Sequence, residues 1–162
     1  MKMETREIVK NPSPILRERS REIQNPRDPF VLKLIPVMVK TMIKANGVGI
    51  AAPQIGENIR LIIVNAKDGP FPCINPIIEK TSWLTSEDEE GCLSVPGVYG
   101  RVKRKKRIRV SFLDQYGKRI TISASGLLAR IFQHEVDHIN GILFIDKAKN
   151  IQNLSKMDLD HA

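Results

Sequence analysis

Cysteine is scarce in this 162-residue chain, which has only Cys73 and Cys92. Two thiols are too few for the disulfide framework of a small secreted domain. No apolar run reaches the roughly 20 residues of a membrane-spanning helix. The start, MKMETREIVKNP, lacks the apolar stretch of a signal peptide. These absences point to a cytoplasmic protein in a reducing compartment, with no membrane partner. Repeats, low-complexity tracts and linker-like stretches are also lacking, so one domain over residues 1–162 is expected, with a short C-terminal tail from about 147. Aromatic residues make up 5% of the chain, and none falls within its densest run of charge.

What is present is ordinary for a globular protein, 41% apolar and 27% charged, except for a net charge of +8. That excess favours anionic surroundings such as nucleic acid or a ribosome. Much of it lies in RVKRKKRIRV (101–110), where Ile108 and Val110 sit among the cations. The run reads as a solvated edge strand whose lysines deter sheet-to-sheet pairing. Without interleaved aromatics it offers no platform for stacked bases, and no specific nucleic-acid partner is expected.

The first clear helix begins at Asp28-Pro29, an N-cap followed by proline at the first helical position. Val31, Leu34, Ile35, Met38 and Met42 then form one apolar face. Pro36 predicts a kink or boundary inside it, and Asn46-Gly47 a stop. Strand patterns follow at IRLIIVN (59–65) and CINPIIEK (73–80), then a hairpin of IRVSFL and RITISA about the turn DQYGK (114–118). A second helix after Ser125-Gly126 carries Leu127, Leu128, Ile131 and Phe132 toward HEVDH (134–138). The order implies α+β: antiparallel β-sheets packed around a central metal-binding helix, with an N-terminal helix.

On a helix, His134 and His138 are one turn apart on one face and reach a single ion, with Glu135 beside them as a potential base. A catalytic ion of this kind takes three protein ligands and leaves a position open for water. Downstream the third is hard to find. The position used by one protease class holds Phe144, and no glutamate follows Glu135. Asp146, Asp158, Asp160 and His161 are formal candidates, the last beside the C-terminus. Upstream, EGCLSVPG (90–97) offers Cys92 on a segment of turn and strand character, where a thiolate would suit a transition metal. Cys73 has apolar neighbours and is assigned to the core.

With His134, Glu135, His138 and Cys92 together, the chain resembles the peptide deformylases. Three motifs carry the resemblance in order: GVGIAAPQ (47–54), EGCLS (90–94) and QHEVDH (133–138), within a match from about Ile8 to Asp146. It implies an enzyme that removes the formyl group from the N-terminal formylmethionine of newly made polypeptides. It further implies an ion held by Cys92, His134 and His138, usually Fe²⁺, with Zn²⁺, Ni²⁺ or Co²⁺ able to replace it. Glu135 would be the general base, and the Gln54 amide and Leu93 backbone N–H would stabilise the oxyanion. Gly47 and Gly49 would admit an extended peptide, while Val48, Leu127 and Ile131 line the methionine pocket and Arg130 sits at its rim. Glu90 would orient its surroundings through an arginine such as Arg104. The tail lacks the long basic helix with which some relatives dock on the ribosome, leaving only transient proximity there. The rival readings are a metallopeptidase and a non-catalytic protein with a structural metal.

Overall fold

The structure is a computed structural model, and it describes residues 4–154. Helix α1 spans Pro29–Lys44, its start fixed by the Asp28 carboxylate accepting from the Phe30 N–H at 2.8 Å. The helix runs through Pro36 without a boundary. Pro36 is exposed, so its ring lies away from the packed stripe of Val31, Leu34, Ile35, Met38 and Met42. That stripe packs on Ile50, Leu61, Ile63 and Ile74.

Eight strands follow: β1 Gly49–Ala51, β2 Leu61–Ala66, β3 Gly69–Thr81, β4 Thr85–Cys92, β5 Val95–Lys105, β6 Arg107–Leu113, β7 Arg119–Ser125 and, near the end, β8 Lys149–Asn153. They form two antiparallel sheets, one ordered β1-β2-β3-β6-β7 and the other β4-β5-β8. The expected β6–β7 hairpin closes through Asp114, whose side chain accepts from the N–H groups of Tyr116 and Lys118. Part of the expected tail is strand, since Lys149–Asn153 pairs with β5.

The basic run 101–110 is not an edge strand. It divides between β5, flanked by β4 and β8, and β6, flanked by β3 and β7. Alternation explains how interior strands tolerate it: Val102, Ile108 and Val110 point into the core while Arg101, Lys103, Arg107 and Arg109 face solvent. Arg104 breaks the pattern, being charged and buried.

Between the sheets lies α2, Gly126–Ile139. Ala129, Phe132, Val136 and Ile139 recur at helical spacing and meet Ile62, Val64, Val110 and Phe112 of the larger sheet. Three of the five phenylalanines concentrate here: Phe71 and Phe132 both lie within 6.3 Å, ring to ring, of Phe112. Cys73 is fully buried in the same cluster. The opposite side of α2 carries His134 and His138 toward the β4–β5 ribbon. Beyond the helix, Gly141 adopts φ +76°, and a Cβ there would lie 2.5 Å from the Arg17 carbonyl oxygen. Glycine thus lets the chain turn back tightly against the N-terminal segment.

Candidate metal centre and active site

Two elements distant in sequence supply the donors. Helix α2 fixes His134 and His138 one turn apart, with ring centroids 5.0 Å apart. The β4–β5 ribbon adds Cys92 at its tip, where the register shifts between Gly91 and Cys92. Such an irregularity re-aims a side chain. The ligand atoms of Cys92, His134 and His138 all lie within 4.8 Å of one another, and Cys92 Sγ is 3.3 Å from His138 Nε2. Around a four-coordinate ion with the usual bond lengths, neighbouring donors lie roughly 3.3–3.8 Å apart, so the Cys92–His138 separation is that of two ligands of one ion. Asp146 instead pairs with Arg17 at 2.5 Å. Asp158, Asp160 and His161 lie outside the described residues.

A buried ionic network holds the helix side of the site. Glu90 accepts from Arg104 Nε and an Arg104 terminal nitrogen, each at 3.0 Å, from Arg130 at 2.8 Å, and faces His134 Nδ1 at 2.9 Å. Holding Nδ1 leaves Nε2 of His134 for an ion, the arrangement that fixes a ligating ring. Burial alone would raise the Glu90 pKa, but its bonds to His134 and Arg104 outweigh that and keep it well below the usual carboxylate range. Arg104 continues to Asp137 at 2.5 Å, which meets Lys147 at 2.9 Å.

Burial opposes charge on His134 too, yet its bonds to Cys92 and Glu90 and the Glu135 charge raise it to about 10. Ligation needs the neutral ring, so an ion entering the site displaces that proton. His138 shifts the other way, well below the ordinary histidine value, because burial disfavours its charged form. Burial also pushes Glu135 up to about 7, against the pull of His134. Its Oε2 is buried without a hydrogen-bond partner, as is Nδ1 of His138. An unpaired carboxylate oxygen lining a cleft is an acceptor able to take a proton from water.

On the other wall, the Ala51 N–H donates to Gln54 Oε1 at 2.9 Å, which fixes the amide orientation. The Gln54 NH₂ therefore points at Cys92 Sγ, 3.6 Å away, and at the buried Ser94 hydroxyl, 3.2 Å away. Gly49 packs directly on the Glu135 carboxylate, because a Cβ there would sit 2.5 Å from its Oε1. Gly47, Val48, Gly49, Gln54, Cys92, Leu93, Leu127, Ile131, His134 and Glu135 all line one cleft of about 690 Å³. Ile131 is buried, whereas Val48 and Leu127 are 53% and 68% exposed, apolar surface left open at the cleft.

A family model described as polypeptide deformylase matches residues 5–154. The chain belongs to that family. The peptide deformylase of Carboxydothermus hydrogenoformans is 50% identical over 144 residues, covering 89% of this chain and 93% of the relative. A crystal structure of peptide deformylase from Thermotoga maritima superposes with a TM-score of 0.87 at 37% identity, covering 90% of this chain and 99% of that one. A class I type b peptide deformylase from Acinetobacter baumannii, crystallised with Met-Ala-Ser bound, gives a TM-score of 0.85 at 34% identity over 90% of this chain and 99% of that one. The family is metal-dependent, and Cys92, His134 and His138 of this chain form a possible metal site.

Within the deformylase frame, several residues escaped the sequence reading. Arg130 is not a free rim residue, for its guanidinium is tied to Glu90 and to the carbonyls of Val102 and Ser86. Asp137 sits inside QHEVDH but has no visible partner until β5 delivers Arg104. Ser94 closes the EGCLS motif, and nothing in that motif marks the contact of its hydroxyl with the Gln54 amide. The N-terminal segment was unread: Val9 N–H donates to the Gln54 carbonyl, Asn11 N–H to that of Ser94, and Lys10 Nζ to that of Leu93. No residue-type signal marks such a strap, since two of its three bonds come from main chain.

Proposed function

We infer that this deformylase hydrolyses the formyl amide of N-terminal formylmethionine on newly synthesised polypeptides, releasing formate and a free amine. The observation that carries the reading is that the Cys92 and His134 donors, the buried Glu135 carboxylate and the oriented Gln54 amide line one cleft, with the His138 donor within 4.8 Å of the other two. The proposed ion is Fe²⁺, with Zn²⁺, Ni²⁺ or Co²⁺ able to serve. When bound, it supplies a Lewis acid for the formyl oxygen and acidifies a water.

The remaining work falls to the chain. Glu135 accepts the proton of the attacking water and passes it to the departing amine as the C–N bond breaks. The Gln54 NH₂ and the Leu93 N–H donate to the oxygen that gains charge; a carboxamide suits this because it donates without titrating. Gly47 and Gly49 let the peptide backbone lie along the open edge of β1, pairing like an added strand. The methionine side chain lies against Val48, Leu127 and Ile131. Glu90 holds His134 in place, with Arg104 and Arg130 completing its surroundings. Such a reaction belongs in the cytoplasm, close to the ribosome where nascent chains emerge.

The test compares formyl-Met-Ala-Ser, acetyl-Met-Ala-Ser and an internal peptide bond as substrates. The extra methyl must occupy space that the reacting carbon needs, and a misplacement of about 1 Å can cost on the order of 100-fold. The formylated peptide should therefore be preferred by at least that factor. Comparable cleavage of all three would instead indicate a general metallopeptidase.

A further inference from the structure

One connection in the fold presents the chain's sole tryptophan almost wholly to solvent: Trp83 is 86% exposed, with Leu84 beside it at 46%. It lies between β3 and β4 and is stitched to the connection between β5 and β6. Ser82 N–H donates to the Arg107 carbonyl at 2.9 Å, Arg107 N–H to the Ser82 hydroxyl at 3.2 Å, and Lys106 N–H to the Leu84 carbonyl at 3.0 Å. An aromatic residue about twenty positions upstream is thereby set into the densest basic run of the chain.

The charge there is uncompensated. Farther along the β4–β5 ribbon, Glu87 opposes Lys103 and Glu89 opposes Arg101, but next to Trp83 the residue opposite Lys105 is Thr85. Among the described residues, Lys80, Lys105, Lys106 and Arg107 form no ion pair, whereas Arg109 is paired with Glu79. The adjoining outer face of the larger sheet is polar, with Ser125 opposite Arg107 and Ser123 opposite Arg109. An exposed indole whose flanking residues Ser82, Leu84 and Thr85 bond or pair with a run of unpaired cations has the two parts of a single-strand nucleic-acid site, a stacking platform and a phosphate track.

We propose that Trp83 with Lys80, Lys105, Lys106 and Arg107 is a docking site for single-stranded RNA, one base stacking on the indole and neighbouring phosphates lying on the cations. Ile77, Trp83 and Leu84 protrude on this stretch of β3 and the connection that follows it, set among lysines and serine and threonine hydroxyls. That suits a hydrated polyanion better than insertion into a bilayer. The choice of RNA over DNA rests on the proposed function, because an enzyme acting on nascent chains works beside RNA. The site lies outside the catalytic cleft, so RNA and peptide would bind together.

Because Trp83 is the only tryptophan, its fluorescence reads the site directly in the full-length, metal-loaded enzyme. A 20-nucleotide oligoadenylate should quench it saturably. Three or four phosphate contacts predict that log Kd rises with log salt with a slope on the order of 2–3. With labelled RNA followed by anisotropy, Trp83→Ala should weaken binding by about 5- to 100-fold. Lys105→Gln with Lys106→Gln should weaken it more than Lys33→Gln with Lys44→Gln, which removes the same charge from exposed positions on α1. Formate release from a short formylated peptide, measured separately, should be unchanged in every variant, so failure of the RNA site is distinguishable from failure of the deformylase reading. Absence of quenching, wild-type affinity in Trp83→Ala, or equal loss in the two charge pairs would overturn the proposal. So would quenching by anionic phospholipid vesicles but not by RNA.

Discussion

Cys92 and Cys73 are chemically identical residues given opposite tasks by their surroundings. Cys92 sits at the ribbon tip within reach of two imidazoles, whereas Cys73 is fully buried among apolar side chains, where burial raises its thiol pKa well above the ordinary value. Cys92→Ser should therefore abolish stoichiometric metal in the purified protein, while Cys73→Ser should retain it and lose only stability. Elemental analysis of both variants checks this, and equal metal content would remove Cys92 from the ligand set. Glu90 offers a second test. In Glu90→Gln, Arg104 and Arg130 lose their shared carboxylate and His134 its orienting partner. Breaking a buried pair from one side costs about 3–5 kcal/mol, and loss of the ring's partner typically lowers metal affinity about 10- to 100-fold. Thermal unfolding and competitive chelation should show both losses; an unchanged melting temperature would mean that the network is dispensable.

The joint between α2 and the N-terminal segment depends on one residue of the element boundary. In Gly141→Ala the new methyl would enter the Arg17 carbonyl while the backbone stays at positive φ. A non-glycine residue held in that region costs about 1–3 kcal/mol before any clash. The variant should melt at a lower temperature, and a melt matching wild type would show that the joint relaxes freely. Elements with a period of their own were readable from sequence: α1 from its apolar stripe and cap, β6–β7 from alternation about a turn, α2 from the spacing that leads into the histidines. The β4 segment TSEDEEGC has no such period, and it is a strand because β5 pairs with it across the tip. For the same reason the basic run looked like an edge, since neither β4 nor β8 is visible from residues 101–110. At the site, metal-donor chemistry marked Cys92, His134 and His138. Arg130 and Asp137 instead resemble a solvated helix face until the ribbon covers them.

At the scale of the whole molecule, α2 lies between two sheets: one face completes the core, and the other holds the site under the β4–β5 ribbon. The N-terminal strap spans the two walls, bonding Gln54 on one side and Leu93 and Ser94 on the other. Among the described residues, no helix is long and apolar enough to cross a membrane. The hydrolysis proposed above turns on the buried Glu135 carboxylate. The most direct measurement is formate release from formyl-Met-Ala-Ser by wild type and Glu135→Gln, with metal content matched. The variant should keep its metal and lose turnover by about 100-fold or more, because an amide cannot accept the water's proton. A variant turning over at nearly the wild-type rate with the same metal content would contradict it.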